Sequence, residues 1–333
     1  MVRFVSVVFL LVSFSLSALA EEIKVWTPTG GPRLILPVGT NQTPEEAAAR
    51  YLEKIYDSSA LGPAMLSEWL SEVTGTFEDL PERGNGGPIM VLLDNSFERH
   101  KEDVRVFNAQ GADTYLLPLG AELALKTEAE RARFRTKLAK SIDGMVLLGG
   151  HDIDPRLYGS RNTYSTNTAH ARDEMEMAYA KALLGQSNGR LFGICRGQQM
   201  IGVTFGYKLH QDIEENLGAA DHVDVNHRIH IDEGTHLSHA LDGRASAQIY
   251  SLHHQAIDMD SNPRGKLVAT ATSAIDDVGV IEAVESKDGR VFAVQFHPEL
   301  MSGAVGKAVI KKFVKLAKDD APNCFQRIAG LRP

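Results

Sequence analysis

The sequence predicts an α/β protein: a doubly wound, mostly parallel sheet with flanking helices, preceded by an N-terminal helical extension. Three observations carry that prediction. From Pro88 onward, apolar strands alternate with helical segments, the succession that builds a parallel sheet. The strands are continuous apolar runs, such as Ile89 to Leu93, as expected where both sheet faces are covered. Glycine-containing turns follow two strands, at Gly149-Gly150 and around Cys195, and sites in such sheets collect beyond the carboxyl ends of the strands.

Composition sets the outer limits. The 333 residues are 43% hydrophobic and 23% charged, ordinary for a globular protein, and long enough for one large domain with an extension. The formal charge is -8, with the acids scattered and no basic patch to draw a phosphate backbone. Nucleic acid is therefore not an expected partner.

Taken in order, residues 1–20 read as a signal peptide. Arg3 gives a positive start, an apolar run follows, and Ala18-Leu19-Ala20 is a small-x-small cleavage site. The apolar run is short for a spanning helix, so we expect export with cleavage after Ala20 and no stable membrane insertion of the mature chain. Residues 21–87 read as a separate, mainly helical extension. Thr43-Pro44-Glu45-Glu46 starts one helix, and residues 64–73 suggest another with Leu66 and Trp69 on one face. The run from Pro81 to Pro88 has linker composition.

Residues 88–318 form the predicted catalytic domain, with 319–333 as a polar tail. Strands are expected at 89–93, 113–118 and 144–148, and helices at 104–110, 127–141 and 172–184. After Cys195 the chain turns more β-like, near 208–210, 267–271, 280–284 and 291–296.

The central stretch is Arg190 to Gly202. A short strand leads into Gly193-x-Cys195-x-Gly197 and then into a helix carrying Met200, Ile201, Val203 and Phe205. A tight strand-to-helix turn of this kind projects its middle side chain from the strand end, with glycine where other side chains clash. The helix start also favours a thiolate. The only other cysteine is Cys324. In an exported protein such a pair is a disulfide candidate, but Cys195 sits in the elbow and Cys324 in the tail, so both thiols are expected to be free.

Val291 to Glu299 supplies the partners. A strand delivers His297 and Glu299, and their i, i+2 spacing places them on one side. A nucleophilic thiol needs a base, and the base an orienting carboxylate; Cys195, His297 and Glu299 form that set. His222, His227, His230, His236 and His239 also invite a metal reading. Their spacing is irregular and no cysteine joins them, so we expect no metal site there and a strand beginning near His227 and His230.

In these motifs the chain resembles the class I glutamine amidotransferase-like hydrolases, a flavodoxin-like group, and within them the γ-glutamyl hydrolase branch, peptidase family C26. The motifs are Leu147-Leu148-Gly149-Gly150-x-Asp152-x-x-Pro155-x-x-Tyr158, Arg172-Asp173, Gly193 to Gly197, Leu209 to Asp212, Ser251 to Gln255 and Val294 to Glu299. The resemblance covers roughly residues 88–315, and is greatest to the members that cleave γ-glutamyl-γ-aminobutyrate. It implies Cys195 as nucleophile, His297 as general base and then acid, and Glu299 as the orienting carboxylate. The Gly149-Gly150 loop and the N–H of Arg196 would form the oxyanion hole. Gln199 and His253 become pocket residues. Arg172 either meets a substrate carboxylate or pairs with Asp173 or Glu176. No metal or cofactor is implied, the partner is a small γ-glutamyl compound, and the chain is compatible with a homodimer. A glutaminase subunit feeding ammonia to a synthetase and a catalytically silent binding protein are the rival functions.

Overall fold

The computed structural model describes residues 22–28, 33–39, 42–57, 75–82, 86–94, 101–262 and 264–319. In chain order the elements begin with β1 (Glu22–Pro28), β2 (Leu34–Val38), α1 (Pro44–Asp57) and β3 (Gly75–Asp79). The alternating core follows as β4 (Ile89–Asp94), α2 (Lys101–Asn108), β5 (Asp113–Pro118), α3 (Glu128–Ser141), β6 (Gly144–Leu147), α4 (His170–Gln186), β7 (Arg190–Ile194) and α5 (Arg196–Thr204). Then come β8 (Lys208–His210), α6 (Ile213–Leu217), β9 (Val223–Ile231), α7 (His236–Ala240), β10 (Ser246–Leu252) and β11 (Ala256–Asp258). The chain closes with β12 (Leu267–Ser273), β13 (Ile281–Ser286), β14 (Val291–Val294) and α8 (Ala304–Asp319).

One sheet runs in the order β10-β9-β12-β13-β14-β7-β6-β4-β5-β2-β1-β3, and β8 pairs with β11 in a small second sheet. Neighbours from β14 through β2 are parallel, and the outer strands on either side are antiparallel. In the central order β5-β4-β6-β7-β14, chain direction reverses across the sheet at β4. That is the switch point beside which doubly wound sheets open a crevice.

Side-chain alternation builds two cores. Met90 and Leu92 of β4 join Phe107 of α2 and Val309 and Phe313 of α8 on one face. Val91 and Leu93 join Phe134 of α3, Tyr179 of α4 and Met200 of α5 on the other. Successive strand residues point to opposite faces, so a continuous apolar run is what a sheet covered on both sides requires. Phe192 of β7 stacks on Phe313, with ring centroids 4.4 Å apart, which fixes the strand that carries the elbow. Helix α3 begins where its sequence says: the Thr127 hydroxyl accepts from Glu130 N, and the Glu130 carboxylate accepts from Thr127 N, a capping box.

The N-terminal region departs from expectation. Among the described residues of 21–87 there are three strands and one helix, where a mainly helical extension was expected. These strands extend the main sheet, with β2 beside β5 at Leu34 and Leu116. Trp26, Leu34, Leu36, Ala48 and Tyr51 join the same core as Phe107 and Phe313. The expected boundary near residue 87 therefore divides neither the sheet nor the core. The strands escaped notice because each is short and lies beside proline- or glycine-rich sequence. The expected helix at 64–73, the signal segment and Cys324 lie outside the described residues. Among the described residues, no helix is long and apolar enough to cross a membrane.

Candidate active site

The elbow follows from a close approach. Cys195 sits at φ 52° and ψ −112°, a positive φ that non-glycine residues adopt only when their surroundings impose it. Here the surroundings do. A Cβ on Gly197 would lie 2.0 Å from the carbonyl oxygen of Leu147 in β6, and one on Gly193 would lie 2.7 Å from the backbone of Gly197. Glycine at both positions lets α5 start directly against the strand ends. The Cys195 N–H donates to Val294 O of β14 at 2.9 Å, tying the elbow residue to the strand that leads to His297.

Strands β7 and β14 are parallel and in register, with Ile194 opposite Val294. Both therefore end at the same edge, and the residues that follow them meet. The His297 N–H donates to Tyr250 O at 3.1 Å. Pro298 then opens a one-turn 3-10 segment, Pro298–Leu300. That turn, rather than strand alternation, returns Glu299 to the histidine: Nδ1 of His297 is 2.6 Å from Oε1 of Glu299.

Burial works against a charged His297, but the negative charge and hydrogen bond of Cys195, and then those of Glu299, overcome it. Its pKa is pushed up to about 11. The three side chains thus form one electrostatic unit, with the proton held on the imidazole. The Cys195 sulfur also lies 3.8 Å from Leu252 O and accepts from Nε2 of Gln295 at 3.8 Å.

A cavity of about 300 Å³ opens onto this unit, with Cys195, His297 and Glu299 in its wall beside Gly149, Gly150 and His151. Leu252, Leu300 and Asp103 complete the rim. Arg196 is the first residue of α5, so its N–H is one of those a helix start leaves without an intrahelical acceptor. The structure thus brings together Cys195, His297, Glu299, Gly149, Gly150 and the backbone of Arg196.

It does not bring Arg172, Gln199 or His253 to the cavity wall. Arg172 is buried, donates to Glu176 at 2.7 Å and to Gly149 O at 3.2 Å. The Arg196 side chain bonds Asp173 and Glu176, and Asp173 in turn accepts from Asp154 N at 2.9 Å. Two arginines and two carboxylates so anchor the loop after β6 to α4 and α5. Of the two readings of Arg172, pairing with Glu176 is the one the geometry gives. Gln199 donates to Gln255 O at 3.1 Å and lies 3.4 Å from Gln295 Oε1. It supports Gln295, which touches the sulfur and which residue-by-residue reading passed over although it stands two positions before His297. His253 is buried beside Glu282.

Fold and site together define a class I glutamine amidotransferase-like protein with an elbow cysteine. The chain belongs to the Peptidase C26 family, whose model matches residues 115–299. It is 28% identical over 211 residues to the γ-glutamyl-γ-aminobutyrate hydrolase PuuD of Escherichia coli, covering 59% of this chain and 80% of PuuD. It is 36% identical over 166 residues to Rv2859c of Mycobacterium tuberculosis, a protein named for the glutamine amidotransferases. That match covers 48% of this chain and 51% of Rv2859c, so the chain spans about half of that relative's length. The glutaminase domain of Trypanosoma brucei CTPS, solved with bound acivicin, superposes with a TM-score of 0.53 at 16% identity. It covers 71% of this chain and 97% of that domain, a likeness of fold.

Proposed function

We propose that the protein is an exported cysteine hydrolase that cleaves γ-glutamyl amide or peptide bonds, with Cys195, His297 and Glu299 as its triad. The observation that carries this is the hydrogen-bonded, charge-coupled line from the elbow sulfur through His297 to Glu299, set in the wall of a cavity. Family membership and the likeness to PuuD over most of that protein's length support the γ-glutamyl substrate class.

The sulfur attacks the γ-carbonyl carbon, and the developing oxyanion is received by N–H groups of the Gly149-Gly150 loop and Arg196. One such donor is typically worth about 2.7–4 kcal/mol in the transition state. His297 gives its proton to the leaving amine, the C–N bond breaks, and a γ-glutamyl thioester remains on Cys195. His297, now neutral, takes a proton from water as the water attacks the thioester. Glutamate leaves, and the proton returns the pair to its starting state. Glu299 keeps the imidazole oriented and supports its charge throughout.

The test is glutamate release by purified mature protein from a panel of γ-glutamyl amines, γ-glutamyl amino acids and free glutamine. Cys195→Ala and His297→Ala should each lose about 10⁴-fold or more of turnover, and the double variant little more, because residues that act as a unit are non-additive. Glu299→Gln should lose less. Full activity in Cys195→Ala would sink the mechanism, and hydrolysis of glutamine alone would favour an ammonia-supplying role. Intact-mass analysis of the exported protein should give an N-terminus at Glu21; retention of Met1 would remove the export half of the proposal.

A further inference from the structure

Glu282 lies in β13 with no exposure to solvent, and among the described residues its side chain has ionic contacts only with histidines. Three imidazole nitrogens converge on its Oε1: Nδ1 of His222 at 3.1 Å, Nε2 of His227 at 3.4 Å and Nε2 of His253 at 3.4 Å. Nδ1 of His222 and Nε2 of His253 are 3.2 Å apart. All three histidines are buried. Neither carboxylate oxygen of Glu282 receives a well-aligned hydrogen bond.

The outward nitrogens explain why. Nδ1 of His227 is 3.2 Å from Arg228 O, Nδ1 of His253 is 3.0 Å from Gln255 O, and Nε2 of His222 is 3.3 Å from Ser273 Oγ. The two backbone carbonyls can only accept, so His227 and His253 carry their ring protons on the outward side. With the Ser273 hydroxyl accepting likewise, His222 turns its lone pair inward too. The lone pairs of His222 and His253 and the Glu282 carboxylate then face one point in the interior, while Nε2 of His227 lies beside them and accepts from the Ser251 hydroxyl at 2.8 Å. Facing acceptors of this kind leave the buried charge poorly compensated, and a cation between them removes the conflict. One extra proton would satisfy a single nitrogen; a metal ion satisfies all of the donors. The spacing suits this, since two ligands held at 2.0–2.1 Å by one tetrahedral ion are about 3.3–3.4 Å apart. Outward hydrogen bonds from ligating histidines are also what orient them in known metal sites. The Ser251 hydroxyl, 2.8 Å from Nε2 of His227, is a further oxygen beside that ligand atom.

We propose that His222, His227 and Glu282 hold one divalent ion of the zinc type in a buried structural site separate from the hydrolytic triad, with His253 and Ser251 beside it. Two imidazole nitrogens and a carboxylate in a buried set fit zinc better than a hard cation such as magnesium or calcium. The ligands come from the residue before β9, from β9 itself and from β13, so the ion clasps the antiparallel part of the sheet. His253 directly follows Leu252, whose carbonyl lies beside the Cys195 sulfur. The ion thereby fixes one wall of the active site without touching substrate.

The measurement is the metal content of the full mature chain carrying Cys195→Ala and Cys324→Ala, which removes both thiols as competing ligands. After zinc loading and exhaustive washing it should hold about one zinc per chain. Cobalt in its place should give the intense visible absorption of a four-coordinate site. Glu282→Gln and His227→Ala should retain under about 0.2 zinc per chain, while His239→Ala should match the parent. Zinc should raise the melting temperature of the stripped parent and leave that of Glu282→Gln unmoved. A parent chain that stays metal-free after loading, or equal retention in all variants, overturns the proposal. The parent result decides alone if a ligand variant fails to fold.

Discussion

At the scale of single residues, the proton on His297 is the feature with the widest reach. The histidine titrates near 11 in the folded chain, against about 6.5 when unperturbed. Its folded-state pKa is raised, so its contribution to stability is complete below about 6.5 and is lost as pH rises toward 11. Unfolding free energy should therefore hold steady below about pH 6.5 and decline as pH rises toward 11, and His297→Asn should remove that decline. A wild-type stability curve flat across this range in denaturant titrations would mean that His297 does not hold its proton as described.

Elements decide whether those residues meet. The loop after β6 carries Gly149 and Gly150 to the cavity, and Arg172 of α4 holds it through Gly149 O. Arg172→Met leaves Glu176 short of one of its two cations, and breaking a buried pair typically costs about 3–5 kcal/mol. Because Arg172 grips the loop and not the substrate, we predict a fall in kcat with KM nearly unchanged in steady-state assays. A KM effect alone would return Arg172 to substrate binding. At the elbow, Gly197→Ala forces a methyl group into Leu147 O. It should destabilise the chain by roughly 1–3 kcal/mol in denaturant unfolding and abolish turnover; full activity would show that the turn has slack.

The elbow and the pairing of His297 with Glu299 were legible in the sequence because both are local, although strand alternation was expected to make the pairing and the turn opened by Pro298 makes it. Glycine spacing and strand-end position speak within ten residues. The central strands were legible for a related reason, since burial on both faces writes an unbroken apolar run. Gln295 and the Leu252 carbonyl were not, because their approach to the sulfur depends on which strands are neighbours. The histidine and glutamate cluster is further still from view: its donors span residues 222 to 282, and no spacing within one element relates them.

For the whole molecule, the twelve-stranded sheet is the object to test. Strand β2 covers the edge of β5, and β1 and β3 extend the sheet outward from it, with Trp26 stacked on Phe77 at 6.3 Å between ring centroids. Deleting residues 22–82 would bare β2's place along β5 and the apolar surface of Leu34, Leu36 and Tyr51's partners. An uncovered edge of this kind invites pairing between chains. The truncated chain should therefore elute as aggregates in size-exclusion chromatography, and a well-behaved monomer with wild-type turnover would show that the extension is dispensable. The N-terminal strands were hard to read for a whole-molecule reason: their purpose is to finish a sheet whose other strands come later.

The adjacency of β7 and β14 also orders events in time. Cys195 is synthesised about a hundred residues before His297, yet the two strands that carry them are immediate neighbours and Val294 O accepts from the Cys195 N–H. A growing chain thus carries an unassisted thiol until its last strand has emerged and docked, and α8 has closed over Phe192. The topology acts as a built-in safety catch: Cys195 and His297 meet only once β14 has joined β7. Pulse-labelling of stalled nascent chains with a thiol-directed probe should show Cys195 turning hyper-reactive only in chains long enough to have released β14. Equal reactivity in shorter chains would show that the catch is absent.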